Sequence, residues 1–327
     1  MAEIWALAEI VEGVPTKLSL ELATLGRQLA EAAGGESRTV LIGGGPGDAA
    51  QTVADYSANV LVAPAELASD APVAASMAPR LAQLIDERKP DVVLCGASND
   101  GKDIAGLLVG LTDMPILVNG SGVEWSNDGP AVEMSIFGGK LVTHSRFRDG
   151  RGIVVVRPGT VSAEKAAQPG AVETVEVAAS RELPHARVIE SVAEAGAAAP
   201  IEEARIIVGA GRGVGSADGL AMVQDLADAL GCAVGATRAV VDSGWVAYAQ
   251  QIGQTGKIVK PALYIACGIS GAIQHKVGVQ TAGTIVAINR DPDAPIAEFA
   301  DLMVVGDLAE ILPPLTAAIR TRKSGAA

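Results

Sequence analysis

A chain of 327 residues is long enough for about two domains of ordinary size. Its formal net charge of −13 and aromatic share of 3% exclude duplex nucleic acid as a partner, which needs a basic footprint, and argue against a single-strand stacking platform. No stretch approaches the roughly 18 apolar residues of a spanning helix, and the opening MAEIWA lacks the basic region and cleavage site of a secretory signal, so no direct membrane insertion is expected.

An apolar share of 49%, carried by Ala, Val, Ile and Leu, with 38 glycines, suits β/α repeats joined by small-residue turns. Predicted strands at residues 4–10, 39–42, 60–62, 92–95, 116–118 and 153–156 alternate with helical patterns at 18–33 and 75–88, the second closed by Lys89-Pro90. Residues 133–143 (EMSIFGGKLVT) suggest a hairpin turning at Gly138-Gly139 and leading into antiparallel edge strands. From about Ala178 the pattern lapses, and AEAGAAAP at 193–200 reads as an interdomain linker. Alternation then resumes with strands at 204–208, 233–234, 262–267, 284–288 and 302–305 and helices at 219–230 and 309–322. The expectation is two parallel-sheet α/β domains, 1–190 and 204–327, with 191–203 as the linker. Cys95, Cys232 and Cys267 lie far apart without metal spacing and read as reduced residues of a cytoplasmic protein.

Ligands of open α/β sheets bind outside the carboxyl ends of the strands, where loops and helix amino ends converge. After successive strands of the second half come GAGRG (209–213), Thr237-Arg238, GISGAIQH (268–275), Asn289 and Gly306-Asp307, while QQIGQTGK (250–257) lies between the second and third strands. Such loops on one edge describe an extended cradle for a large polar ligand. Known phosphate motifs fit poorly. GAGRGVG has Val214 where the dinucleotide fingerprint needs its third glycine, and in QTGKIV the leading glycine is absent and Ile258 replaces the metal-binding hydroxyl. GASNDGK (96–102) meets the Walker spacing, but Asp103 then stands where phosphates would be repelled.

Residues 211–308 closely resemble the C-terminal FAD domain of electron transfer flavoprotein alpha subunits. The resemblance rests on GRG, GATRAVVDSGW, QIGQTGK, LYIACGISGAIQH, IVAINRDPDAPI and ADLMVVGDL, in that order. The first half matches the family only in general layout. The resemblance implies a Rossmann-like FAD-binding domain, with FAD extended across the strand ends, its pyrophosphate and adenosine deep in this subunit and its isoalloxazine near a beta subunit. It implies an electron carrier without substrate chemistry of its own. Flavin dehydrogenases would be its transient donors and a quinone oxidoreductase or other acceptor its outlet. The first domain would be nucleotide-binding-like without a functional site, contacting the beta subunit in an obligate heterodimer.

Residue by residue, the resemblance places Arg212 beside the cofactor and Thr237 at a hydroxyl position, with Arg238 packing over the flavin as a fixed cation. The loop of Gln251, Ile252, Gly253, Gln254 and Thr255 would meet the flavin, the threonine hydroxyl near N5. Gly268 and Gly271 would let backbone approach closely, with Ser270, Ala272, Ile273 and Gln274 lining the same loop. His275 would donate to the flavin O2. Asn289 and Asp307, with Leu308 beside it, would contact the adenosine end. His144 and His185 read as surface or local hydrogen-bonders, and Trp245 and Tyr248 as local packing. Two rivals remain in view: a redox-inactive nucleotide-binding subunit, and an NAD-binding hydrolase, for which the chain lacks zinc cysteines and spare histidines.

Overall fold

The computed structural model describes residues 2–43, 47–68, 70–126, 129–136, 141–179, 183, 185–190 and 201–325. The chain divides into two units, Met1–Val192 and Ala193–Ala327. The AEAGAAAP stretch and the Gly138-Gly139 turn lie outside the described residues. Residues Ile201–Glu203, at the end of the expected linker, form a 3-10 turn whose Ile201 is buried in the core of the second unit.

The first unit runs β1 (Glu3–Leu7), β2 (Ile10–Val11), β3 (Val14–Pro15), α1 (Lys17–Ala33), β4 (Glu36–Ile42), α2 (Asp48–Ala54), β5 (Asn59–Ala63), α3 (Val73–Arg88), β6 (Val92–Gly96), α4 (Asn99–Thr112), β7 (Ile116–Ser126), β8 (Gly129–Ile136), β9 (Leu141–Arg146), β10 (Gly152–Val156) and β11 (Ala171–Thr174). Nine strands form one sheet, ordered β11-β5-β4-β1-β6-β10-β7-β8-β9. It is parallel from β11 to β7 and antiparallel from β7 to β9, as the edge hairpin in the sequence suggested. Side chains of a strand alternate between faces. In β1, Ile4 and Ala6 therefore join Leu22, Leu25 and Leu29 of α1, while Trp5 and Leu7 join Met77 and Leu81 of α3 and Ile104 and Leu108 of α4.

Two elements depart from the sequence expectation. The strand expected over 4–10 ends at Leu7, because Glu12 (φ 51°) and Gly13 (φ 82°) make a two-residue reverse turn that pairs Ile10 with Pro15 and Val11 with Val14. The short strand expected at 116–118 extends to Ser126 through a glycine-bearing stretch of low strand propensity. Parallel pairing with β10 and antiparallel pairing with β8 hold it extended. The near-Walker loop is the start of α4, with Ser98 as its N-cap, accepting from Gly101 N at 2.8 Å.

The second unit runs β12 (Ile206–Ala210), α5 (Ala217–Leu230), β13 (Ala233–Ala236), α6 (Arg238–Asp242), β14 (Leu263–Cys267), α7 (Ile273–Val279), β15 (Ile285–Asn289), β16 (Leu302–Val305) and α8 (Leu308–Lys323). All five strands are parallel, in the order β13-β12-β14-β15-β16. This is the doubly wound 2-1-3-4-5 arrangement, whose direction of winding reverses between β12 and β14. Val208 and Ile265 pack with Leu226 of α5 and Leu312 of α8, while Ile207 and Tyr264 pack on the other face with Val279 of α7. Ser216 caps α5 through Gly219 N, and Gly231 (φ 68°) ends it in the left-handed conformation.

Candidate functional site

Where the winding reverses, two glycine-rich loops cross backbone to backbone. Gly211 N donates to Cys267 O and Gly213 N to Gly268 O, both at 2.9 Å. A Cβ on Gly211 would lie 2.6 Å from Ile269 Cα, and one on Gly213 2.7 Å from Gly268 Cα, so neither position admits a side chain without moving main chain. Gly271 (φ 83°) presses equally close to Ile296, whose N–H donates to Ser270 O at 3.0 Å.

Further backbone bonds tie the remaining loops to this crossing: Thr237 N to Ala210 O (2.9 Å), Ile252 N to Ala236 O (2.9 Å), Gln254 N to Gln274 O (2.7 Å) and Gly306 N to Asn289 O (3.1 Å). The loop at 251–257 is closed by Lys257 N to Gln251 O and by the Tyr248 hydroxyl donating to Thr255 O, both at 2.7 Å. Gln251 Nε2 donates to Thr255 Oγ1 at 3.1 Å. That bond uses a lone pair of the hydroxyl and leaves its proton to donate.

The residues expected to contact a cofactor separate into two groups. Arg212, Arg238, Gln254, Thr255, Ser270, Ala272, Ile273, Gln274 and Asp307 are exposed, and Thr237, Gly268 and Asn289 are half-buried. Gln251, Ile252, Gly253, Gly271, His275 and Leu308 are buried and build the floor of the cradle instead of its rim. Exposed Ile273 offers an apolar contact among the polar ones.

His275, expected to donate to the flavin O2, is buried at the amino end of α7. Its Nδ1 lies 3.1 Å from Ile252 O and its Nε2 3.0 Å from the Tyr264 hydroxyl, so both ring nitrogens are engaged inside the chain. Burial holds its pKa down at about 4, opposed only in part by the Ile252 bond, so the imidazole is neutral at ordinary pH. Asn289 also turns inward: Nδ2 donates to Ile269 O at 2.9 Å and Oδ1 accepts from Asp291 N at 3.1 Å, bridging two loops. Asp307 accepts from Ala309 N at 2.8 Å as the N-cap of α8. Sequence reasoning missed Tyr264, whose signal was a single tyrosine in an otherwise aliphatic strand of an aromatic-poor chain.

Fixed positive charge on the rim comes from Arg212 and Arg238. Arg238 meets Asp242 one turn along α6 at 3.4 Å, with both side chains about two-thirds exposed, a pair worth at most about 1 kcal/mol and easily given up. Lys257 is held by Glu202 at 2.7 Å, and Lys276 stands over the Phe299 ring at 4.9 Å. Trp245 is half-buried and packs against the core cluster that holds Val208, Leu226 and Ile265, whereas Tyr248 is exposed and ties the 251–257 loop. His144 lies exposed on β9, and His185 Nδ1 meets Leu183 O at 2.9 Å.

The first unit has its own winding reversal, between β1 and β6, and a carboxylate sits there. Ser98 Oγ lies 2.8 and 2.7 Å from the two oxygens of Glu9, at the amino end of α4 where a phosphate would otherwise be attracted. Burial first, then Asp100, push the Glu9 pKa up, with the Ser98 bond opposing. Cys95 and Cys267 are buried with thiols pushed up to about 12 by burial, and Cys232 is half-buried and free. Among the described residues no group of His, Cys, Asp and Glu could hold a metal ion, and no helix is long and apolar enough to cross a membrane.

The second unit is thus a doubly wound domain whose glycine-rich loops and two exposed arginines gather at the strand ends. Residues 200–280 match the family model described as the electron transfer flavoprotein FAD-binding domain, and residues 4–180 the one described as the electron transfer flavoprotein domain. Curated proteins named electron transfer flavoprotein subunit alpha are similar along their whole length. That of Mycobacterium tuberculosis (strain CDC 1551 / Oshkosh) is 43% identical, and that of Mycobacterium leprae (strain TN) 41%, each covering 99% of this chain and 100% of the relative. That of Bacillus subtilis (strain 168) is 34% identical over 96% of both chains. The chain belongs to the electron transfer flavoprotein alpha subunit family, whose members are electron carriers.

Proposed function

We propose that this chain binds FAD across the strand ends of its second unit. As the alpha subunit of a cytoplasmic heterodimer it would carry electrons from flavin dehydrogenases to an acceptor such as a membrane quinone oxidoreductase. Residues 204–327 hold the cofactor and residues 1–190 contact the beta subunit, with 191–203 as the linker. The observation that carries the reading is the glycine-on-glycine crossing at Gly211–Gly213 and Gly268. It sets main-chain loops side by side beneath a rim whose donors include two guanidinium groups and several hydroxyls. That donor set fits a pyrophosphate flanked by hydroxyl-bearing sugar and a hydrogen-bonding ring.

Within the cradle Arg212 presents a planar, permanently charged fork suited to phosphate oxygens. Arg238, held only by an exposed pair with Asp242, is free to settle against negative charge arriving with an electron, and its effect grows as water is excluded. Thr255 keeps a proton to donate while Gln251 fixes its orientation. His275 braces the floor as a neutral imidazole. FAD, when bound, supplies the one- and two-electron chemistry, and the protein supplies binding, orientation and electrostatics.

The test is purification of the chain together with a beta subunit, with flavin counted per heterodimer from the visible absorption spectrum. About one FAD per site lost on Arg212→Ala is the expected result. A flavin-free complex, or a flavin content indifferent to Arg212 and Thr255 substitutions, would sink the proposal.

A further inference from the structure

We propose that the first unit carries a recognition site for a single carboxylate group, built on the buried guanidinium of Arg157 at the carboxyl end of β10. The site belongs to the first unit and not to the FAD cradle, so it goes beyond the functional reading above.

Arg157 follows the last residue of β10 and opens a tight turn. Thr160 N and Thr160 Oγ1 donate to Arg157 O at 3.3 and 2.8 Å, with Pro158 and Gly159 (φ 71°) between them, the residue types a type II turn takes at its centre. Arg157 N donates to Gly120 O of β7 at 2.9 Å, so its backbone is tied on both sides. An irregularity in β7 receives the side chain. Asn119 has a left-handed φ of 68°, uncommon for a residue other than glycine, and the register of β7 shifts beside it against both β10 and β8. The distortion brings the amide to the guanidinium. Asn119 Oδ1 accepts from Arg157 Nε at 2.5 Å, while Asn119 Nδ2 donates to Ser135 O of β8 at 3.3 Å.

What this arrangement lacks is a negative charge. Arg157 is 7% exposed, and its Nη1 is buried without a hydrogen-bond partner among the described residues. Burial alone pulls its pKa down, and no carboxylate acts against it. Glu21, which reaches the same turn, accepts from Gly159 N at 2.6 Å, and Glu133 of β8 accepts from Ser121 Oγ at 2.9 Å. A guanidinium keeps its proton inside a protein, and a buried charge without a counter-charge is costly. Neutral Asn119 stands where an aspartate would have closed the pair. Ligands of an open α/β sheet enter at the carboxyl ends of its strands, where Arg157 lies. One guanidinium balances one negative charge, and its flat fork meets the two oxygens of a carboxylate through parallel N–H bonds. A phosphate dianion would leave a surplus. The carboxylate arrives either on a free molecule or on an acidic side chain of the beta subunit, and the second source rests on the heterodimer proposed above.

Calorimetry of the heterodimer at constant ionic strength tests this, with sodium acetate replacing sodium chloride and inorganic phosphate as the contrasting probe. Arg157→Gln is the reference, because subtracting its response cancels the general effect of each salt. A free carboxylate ligand predicts a saturable rise of about 2–4 °C in the parent's midpoint with acetate and a smaller one with phosphate. Asn119→Asp supplies the carboxylate from within, so its midpoint should start higher and acetate should add nothing. A carboxylate from the beta subunit predicts no acetate response, with subunit association weakened at least tenfold in Arg157→Gln and weakened also in Asn119→Asp. Absence of an acetate response together with unchanged association in Arg157→Gln would overturn the proposal. So would an acetate response that persists in Asn119→Asp, or a phosphate response equal to that of acetate. If Arg157→Gln does not fold, Asn119→Asp takes its place as the reference. A complex without flavin would defeat the functional reading while these readouts still decide the role of Arg157.

Discussion

Replacing Gly211 by alanine should open the crossing on which the cradle is built. The new Cβ would stand 2.6 Å from Ile269 Cα and 2.7 Å from Gly268 C, against the roughly 3.4 Å of an ordinary contact. Every neighbour is main chain, so no side chain can rotate away. Relief requires the loops to part by close to 1 Å, which stretches the two 2.9 Å bonds from Gly211 N and Gly213 N. Each bond is worth about 1 kcal/mol net and overpacking costs about 1–3 kcal/mol, so a loss of about 3–5 kcal/mol is expected for the second unit. At about 3–5 °C per kcal/mol for a unit of this size, the midpoint of its thermal transition should fall by roughly 10 °C or more. FAD affinity should fall at least tenfold, since 1.4 kcal/mol of lost loop order already amounts to that factor. Calorimetry and flavin titration of the heterodimer measure both. A variant with an unchanged midpoint and unchanged affinity would show that the crossing is neither tight nor part of the cradle.

Other perturbations probe separate parts of the argument. Gly106→Ala, on the exposed face of α4 with nothing near the new Cβ, should stabilise the first unit by about 0.5–1 kcal/mol and leave flavin binding alone; chemical denaturation checks it. His275 should make stability fall on acidification. Its folded pKa of about 4 lies below the unfolded value of 6.5, so stability present above 6.5 is lost as pH drops through 4, by about 3 kcal/mol in all. The gap between parent and His275→Gln in pH-dependent denaturation should narrow over that window, and a constant gap would contradict it. Glu9 acts in the opposite sense. Its folded pKa is raised above 4.5, so its protonation favours the native state at low pH and that benefit fades as pH climbs through the raised value. Glu9→Gln should therefore raise stability at neutral pH and flatten the pH profile there.

The sequence by itself determined the alternation of strands and helices, the edge hairpin, and the gathering of glycine-rich and polar loops at the strand ends of the second unit. These follow from local causes: continuous apolar runs such as LYIAC, capping serines such as Ser216, and glycines where the chain must turn left-handed, as at Gly231 and Gly271. It also carried the family, because its motif series fixes residue types at fixed spacing. Tertiary structure alone decided which of those residues are exposed at the strand ends and which are buried beneath them. GISGAIQH reads as one polar loop, yet it leaves Ser270 and Gln274 exposed and turns His275 inward, because α7 packs Val279 into the core and its next-turn neighbours follow. No local pattern pairs His275 with Tyr264, eleven residues away on β14, or gives that phenol its room at Gly209 on another strand. The same holds for β7, extended to Ser126 by its partners against its own composition, and for the near-Walker loop, where Glu9 from a distant strand end already fills the amino end of α4. Propensity and spacing act over a few residues. The protonation and direction of a buried polar group are set by whichever atoms the sheet order brings within about 3 Å.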